Sequence, residues 1–178
     1  MGSKTISGVT IECMQGDITK QADLDAVVNA ANAQLRPGGG VAGAIHRAAG
    51  PELDELCRPL APIRPGEAVI TSACNLPNKH VIHALGPVYG KDTPSDRILA
   101  DAYRNSLARA EEAGLASVGF PALSTGVFGY PMDEAAAVAL KTIAEEAPKL
   151  NTVKLVRMVL FGTKDADVHE KALAQLSE

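Results

Sequence analysis

Two asparagines three positions apart, Asn29 and Asn32, stand just before a glycine run, Gly38, Gly39 and Gly40. An amide side chain both donates and accepts, which matches the hydroxyls of a ribose. Residues without Cβ let backbone N–H groups close on a ligand, and where they run into a helix N-terminus the dipole favours an anion. Asn29 is read as tying down the loop and Asn32 as facing the ligand; a pair of turn-making asparagines is the plainer alternative. The spelling Gly38-x-Gly40-x-x-Gly43 is also that of the dinucleotide fingerprint, but two context checks reject it. Seven residues, Ala31–Pro37, separate the preceding strand from the first glycine, and no acid stands at the next strand end for a ribose hydroxyl. A Walker loop fails as well, since no Gly-Lys-Ser/Thr occurs. The anion reading and a flexible turn both stay open for this loop alone.

A second glycine-rich loop, Pro121–Pro131, reads PALSTGVFGYP. Ser124 and Thr125 lead into Gly126, and Val127 and Phe128 lie between that glycine and the next. Two such strand-to-helix loops can clasp a diphosphate; a simple connection is the alternative. Asp17, in QGDIT, is placed to accept from an exocyclic amine such as that of adenine, or to make an Asx-turn for the residues after it. An imidazole ordinarily titrates near neutral pH, which makes His46 a candidate general base, but it lies one turn inside a helix on the flank of its apolar stripe, which assigns it to packing or hydrogen bonding. His80 and His83 fall in a strand pattern and are read as structural. Cys74 has no activating group nearby in sequence and is read as a small core or loop residue.

These groups need a scaffold. The 178 residues favour one domain, taken as 1–178, with residues 1–8 expected to be flexible or, at MGS, a tag remnant. The formal charge of -4 and the lack of a basic run argue against a duplex-DNA binder, and 3% aromatics without Trp argue against a stacking platform for single strands. No apolar run reaches a membrane span and no signal-peptide layout is seen, so a cytoplasmic protein without membrane contact, a monomer, is expected. Three cysteines with no CxxC or Cys/His cluster point to reduced thiols, with neither metal nor cofactor expected.

Strands are predicted at Val9–Met14, Ala26–Ala30, Glu67–Ala73, His80–Leu85, Ser117–Pro121 and Leu155–Phe161, the third and fourth as antiparallel neighbours. Helices are predicted at Val41–Ala49, Glu52–Cys57, Asp96–Ala113, Met132–Glu146 and Asp165–Leu176. Ser95 and Asp165 are the expected N-caps and Gly114 the expected C′ residue. Alternating strands and helices imply a mixed sheet covered on both faces, with ligands at the carboxyl ends of its strands. That rule singles out the residues after Ala30, Pro121 and Phe161.

GDIT (Gly16–Thr19), VNAAN (Val28–Asn32), GGGVAGAIHRAAGP (Gly38–Pro51), HALGP (His83–Pro87) and FPALSTGVFGYP (Phe120–Pro131) occur in the order and spacing of the macrodomain family. The chain resembles that family over about Val9–Leu176, and most closely its bacterial stand-alone branch acting on ADP-ribosylated proteins and O-acetyl-ADP-ribose. The resemblance implies an α/β/α sandwich that binds ADP-ribose. By motif, Asp17 would accept from the adenine amine and the Ile18 N–H would contact the ring. Asn32 would contact the distal ribose, with Phe128 packed on it. Amides of Gly38, Gly39, Gly40 and Val41, and of Ser124 to Phe128, would hold the diphosphate. Phe161 would lie against adenine. Two departures are visible. The hydrolytic bacterial branch usually has Asp where this chain has Ala42, and some viral members have His where it has Pro37.

The resemblance implies hydrolysis at the anomeric carbon of the distal ribose, releasing ADP-ribose from acidic side chains of mono-ADP-ribosylated proteins, and deacetylation of O-acetyl-ADP-ribose. An acyl leaving group needs little acid assistance, and positioning of water and ribose can supply roughly 7–11 kcal/mol in favourable cases. Asn32 and Gly40 are the expected catalytic positions: the one orients the ribose, the other belongs to the amides that stabilise charge, with a substrate phosphate as base. The alternative, favoured by Ala42, is a non-catalytic reader of ADP-ribosylated proteins. An RNA-associated module is a third reading, weakened by the charge.

Overall fold

The computed structural model describes residues 2–177. Seven strands form one sheet: β1 Gly2–Ile6, β2 Val9–Gln15, β3 Ala26–Ala30, β4 Ala68–Ser72, β5 His80–Ala84, β6 Ser117–Phe120 and β7 Leu155–Leu160. Five helices accompany them: α1 Gly40–Ala49, α2 Glu52–Cys57, α3 Ser95–Glu112, α4 Met132–Glu146 and α5 Thr163–Ala174. The sheet order is β1-β2-β7-β6-β3-β5-β4. The five inner strands are parallel, and β1 and β4 close the two edges in antiparallel pairing. Strand alternation splits the buried residues between two cores. Val28, Ile82, Phe120 and Met158 face Leu99, Tyr103, Leu140 and Leu173 of α3, α4 and α5. Val27, Val81 and Val159 face Ile45, Ala49 and Leu53 of α1 and α2. The result is the expected three-layer α/β/α sandwich on a mixed sheet.

Predicted and observed elements differ by a residue or two at most ends, with three informative exceptions. Residues 2–6, expected to be flexible, form an edge strand paired Gly2↔Cys13 to Ile6↔Val9. Ser7 and Gly8, with φ of 50° and 81°, make the two-residue turn that a right-twisted hairpin needs. Met1 lies outside the described residues. Ser95 is not an N-cap: Pro94 holds that position, and the Ser95 hydroxyl closes the preceding loop by accepting from Gly90 N–H (3.2 Å) and donating to Asp92 O (2.7 Å). Asp165 is not a cap either, because α5 begins two residues earlier at Thr163 with Gly162 as its N-cap. Gly114 does occupy C′ of α3, at φ 69°, donating to Glu111 O (3.0 Å).

The parallel register brings the C-terminal ends of β2, β7, β6, β3 and β5 to one edge of the sheet. Buried Tyr103 of α3, packed on Phe120 with ring centroids 5.0 Å apart, anchors the exit from β6. Its hydroxyl donates to Pro121 O (3.4 Å) and accepts from Leu123 N–H (3.2 Å). The second glycine loop thus starts from a fixed point in the core.

Candidate active site

A cleft of about 740 Å³ lies along this edge. Its wall carries Asp17, Ile18, Asn32, the Gly38–Val41 segment, the Ser124–Phe128 segment and Phe161. Asn29, a binding-site candidate read as tying down the loop, is not on the wall. Its side chain lies on the inner face of β3, 1% exposed, with Nδ2 3.2 Å from Nδ1 of His83 on β5. The strand period explains the correction: Val27 and Asn29 share the α1 and α2 face, so Asn29 points under those helices. Asn32, past the strand end, is on the wall and is also the one of the pair that ties down the loop. Its Nδ2 donates to Arg36 O (2.8 Å) and its Oδ1 accepts from Arg36 N–H (3.0 Å), which staples the loop. One N–H and one oxygen lone pair are left for the cleft.

The loop between β3 and α1, residues 31–39 (loop 1; residues 121–131 form loop 2), then reaches α1. Gly39 is the N-cap and the first turn of the helix holds no acid. Among the described residues the amides of Gly38, Gly39, Gly40 and Val41 donate to no acceptor, and neither do those of Ser124 to Phe128. Two rows of unpaired donors therefore line one cleft, and one row sits at the positive end of a helix dipole. Loop 2 is held at its stem, where Tyr130 N–H donates to Ser124 O (2.9 Å), and at its tip, where Phe128 O accepts from Tyr89 N–H (2.9 Å). Ser124 has φ 68°, and its hydroxyl is buried without a partner. Gly86, at the end of the HALGP segment, lies so close that a Cβ there would be 2.1 Å from Ser124 Oγ.

At the other end of the cleft Asp17 makes the Asx-turn that was one of its two readings. Its Oδ1 accepts from the Thr19 hydroxyl (2.6 Å) and from Thr19 N–H (2.9 Å). Those two bonds, the hydroxyl first, hold its carboxyl below the usual range, so it is ionised at neutral pH. Oδ2 bonds no described residue and is available to a donor in the cleft. Phe161 stands beside it with 87% of its surface exposed, far more than a core aromatic.

The remaining candidates lie off the wall. His46 is buried, with both ring nitrogens unpartnered and its ring 6.5 Å from that of His83; burial pushes its pKa down. His83 is held between Asn29 and Thr71 Oγ1 (3.0 Å), and burial lowers its pKa to about 3. His80 Nδ1 lies 3.1 Å from Thr71 O. Burial raises the Cys57 thiol to about 11 and also raises that of Cys74, so neither is activated. Among the described residues no group of three or more His, Cys, Asp or Glu could hold a metal ion, and no helix is long and apolar enough to cross a membrane.

Sequence reasoning passed over Arg47, Gly86, Met132 and Asp165, which also line the cleft. A signal existed for Arg47: positions 40, 44 and 47 share one face of α1, opposite the buried Ile45 and Ala49. None existed for Gly86, whose role depends on a loop far away in sequence.

Comparison with known proteins agrees with the fold. The macro domain model matches residues 28–139. A macro domain-containing protein of Chlorobaculum tepidum is 46% identical over 167 residues, 93% of this chain and 96% of its own. The O-acetyl-ADP-ribose deacetylase of Escherichia coli K12 is 45% identical over 170 residues, 93% of this chain and 96% of its own. The solved Oceanobacillus iheyensis macrodomain with ADP superposes with a TM-score of 0.92 at 42% identity, covering 97% of this chain and 94% of that one. The Trypanosoma brucei macrodomain in complex with ADP-ribose gives 0.84 at 36% identity, covering 92% of this chain and 68% of that one. With a family model matched over residues 28–139, relatives about 45% identical over more than nine-tenths of its length and the same sandwich fold, the chain belongs to the macro domain family.

Proposed function

We propose that the cleft binds ADP-ribose and hydrolyses ADP-ribosyl esters, both O-acetyl-ADP-ribose and mono-ADP-ribose on acidic protein side chains. The observation that carries the reading is the pair of unpaired amide rows, Gly38–Val41 and Ser124–Phe128, across one cleft. Amides converging on one cleft suit a diphosphate, which gains charge-assisted hydrogen bonds from them. The solved relatives with ADP or ADP-ribose support the ligand, and the deacetylase relatives support the ester chemistry. Adenine lies between Phe161 and Asp17 Oδ2, and the Ile18 N–H meets the ring. The distal ribose lies by Asn32, with Phe128 against it.

The residues around loop 1 restrict the mechanism. The carboxylates on the cleft wall are Asp17 and Asp165, both at the β2 and β7 end, and position 42 carries the methyl of a buried alanine. Among the described residues no carboxylate is at hand near the distal ribose to take a proton. For a protein-linked ester, water attacks the anomeric carbon, the C–O bond to the acyl group breaks and the carboxylate leaves. The proton lost by the water passes to a diphosphate oxygen. Asn32 orients the ribose, and the amides of Gly40 and its neighbours stabilise the developing charge.

Turnover of mono-ADP-ribosylated glutamate protein and of O-acetyl-ADP-ribose, measured side by side, tests this. Release of ADP-ribose and acetate is expected, with Asn32→Ala slower by about 100-fold, within what a lost positioning contact costs. Equal rates for Asn32→Ala and the wild type would refute the mechanism. A second reading, a non-catalytic reader of ADP-ribosylated protein, is favoured by Ala42. Tight ADP-ribose binding without turnover of either ester, together with a large gain in Ala42→Asp, would establish it instead.

A further inference from the structure

We infer that Asp165 selects the adenosine ribose, accepting from its free hydroxyls and rejecting a nucleotide that carries a 2′-phosphate. The inference deepens the ADP-ribose reading and rests on it. Asp165 is the third residue of α5, half-buried on the cleft wall. Its Oδ2 lies 3.5 Å from where a Cβ on Gly162 would stand, just behind Phe161. Its backbone carbonyl accepts from His169 Nδ1 (2.8 Å), but its carboxylate makes no hydrogen bond or ion pair with any described residue. The dipole of α5 accounts for an acid in the first turn. It does not account for a carboxylate on the cleft wall that no described residue pairs.

The sheet order says which part of the ligand meets it. Along the edge the strands run β2, β7, β6, β3. The end of β2 carries Asp17 for the base, and the loops after β6 and β3 carry the diphosphate amides. The end of β7, with Phe161 and Asp165, lies between them, where the sugar joining base to diphosphate must pass. A carboxylate repels phosphate and offers no donor, so what it can take there is hydroxyl. An acid on a ribose 2′-hydroxyl, with a cation in its place for a 2′-phosphate, is a general solution to this discrimination. Nearby His169 supplies no compensating charge, since it is buried and burial favours its neutral form.

Calorimetry with ADP-ribose and with its 2′-phosphorylated form tests the assignment, using the wild type, Asp165→Asn and Asp165→Ala. The wild type is expected to prefer the unphosphorylated ligand by about tenfold or more, within what added like charge at contact distance costs near a protein surface. Asp165→Asn keeps the shape and removes the charge. It should close most of the gap by improving binding of the phosphorylated ligand, with the melting temperature nearly unchanged. Equal wild-type affinities, or a gap that survives in both variants while ADP-ribose still binds, would overturn the role of Asp165 alone. Binding of neither ligand by the wild type would overturn the ADP-ribose reading as well.

Discussion

Loop 1 and loop 2 offer the same chemistry, a row of unpaired amides, yet they are packed by different contacts. In loop 1 the tight point is backbone on backbone. A Cβ on Gly43 would be 2.3 Å from Gly38 O and 2.9 Å from Arg47 Nη1. In loop 2 the tight point is a backbone against one side chain: a Cβ on Gly86 would be 2.1 Å from Ser124 Oγ. The first cannot give without moving the loop, whereas the second can be relieved by changing a single residue. The two loops should therefore respond differently to the same added methyl group.

Gly43→Ala should have the largest effect. Inside a helix the change alone would gain about 0.5–1 kcal/mol. Overpacking against an immovable carbonyl costs about 1–3 kcal/mol and opposes that gain. The net loss of stability is modest, but Gly38 is displaced, and with it the first amide of the row. ADP-ribose affinity should fall by about 100-fold or more, beyond what the stability change implies. A calorimetric Kd within threefold of the wild type would show that loop 1 is more pliant than its contacts indicate.

Gly86→Ala should cost less, and the loss should be recoverable. Gly86 is not in the left-handed region, so its backbone accepts alanine, and the obstacle is Ser124 Oγ. Ser124 itself sits at φ 68°, where a side chain costs of order 1–3 kcal/mol. Ser124→Gly removes both the oxygen and that strain. In the double variant, stability by chemical denaturation should recover by about 1–2 kcal/mol relative to Gly86→Ala, a coupling typical of residues in contact. Strict additivity of the two changes would remove the distinction between the loops.

The same contrast explains how much could be read from the sequence. The apolar periodicity gave the six inner and second-edge strands and all five helices because those segments alternate or repeat against a core. The N-terminal strand was missed because Gly2–Ile6 alternates at a sheet edge with little apolar content, and its only local signal was the Ser7-Gly8 turn. Both glycine loops were legible from composition. The division of labour between Asn29 and Asn32 was not, since it depends on where β3 stops and hence on which face residue 29 takes. Gly86 and Asp165 were invisible for a related reason: each acquires its role from a segment more than three residues away in sequence, Ser124 for one and the cleft wall for the other. Family resemblance supplied the ligand, which the loop physics narrowed no further than a nucleotide-like anion.

Asp17 adds a third kind of anchoring to the comparison, a turn held by one side chain bonded to its neighbour, and it carries the smallest expected effect. The Thr19 hydroxyl and N–H both bond Asp17 Oδ1 and depress its pKa below the ordinary carboxylate range. For a carboxyl depressed on folding, the stabilisation is complete above the unfolded pKa and is lost as pH falls through the folded one. Thr19→Ala removes the first of the two bonds and leaves the backbone one. The Asp17 titration followed by carbon NMR should move up toward the ordinary value of about 3.9, and acid-induced loss of ADP-ribose binding should begin at correspondingly higher pH. At neutral pH the variant should bind almost as well as the wild type, because the carboxylate stays ionised in both. An unmoved titration would mean that the backbone N–H alone holds this turn, making it resemble the backbone-pinned loop 1 more than the side-chain contact beneath loop 2.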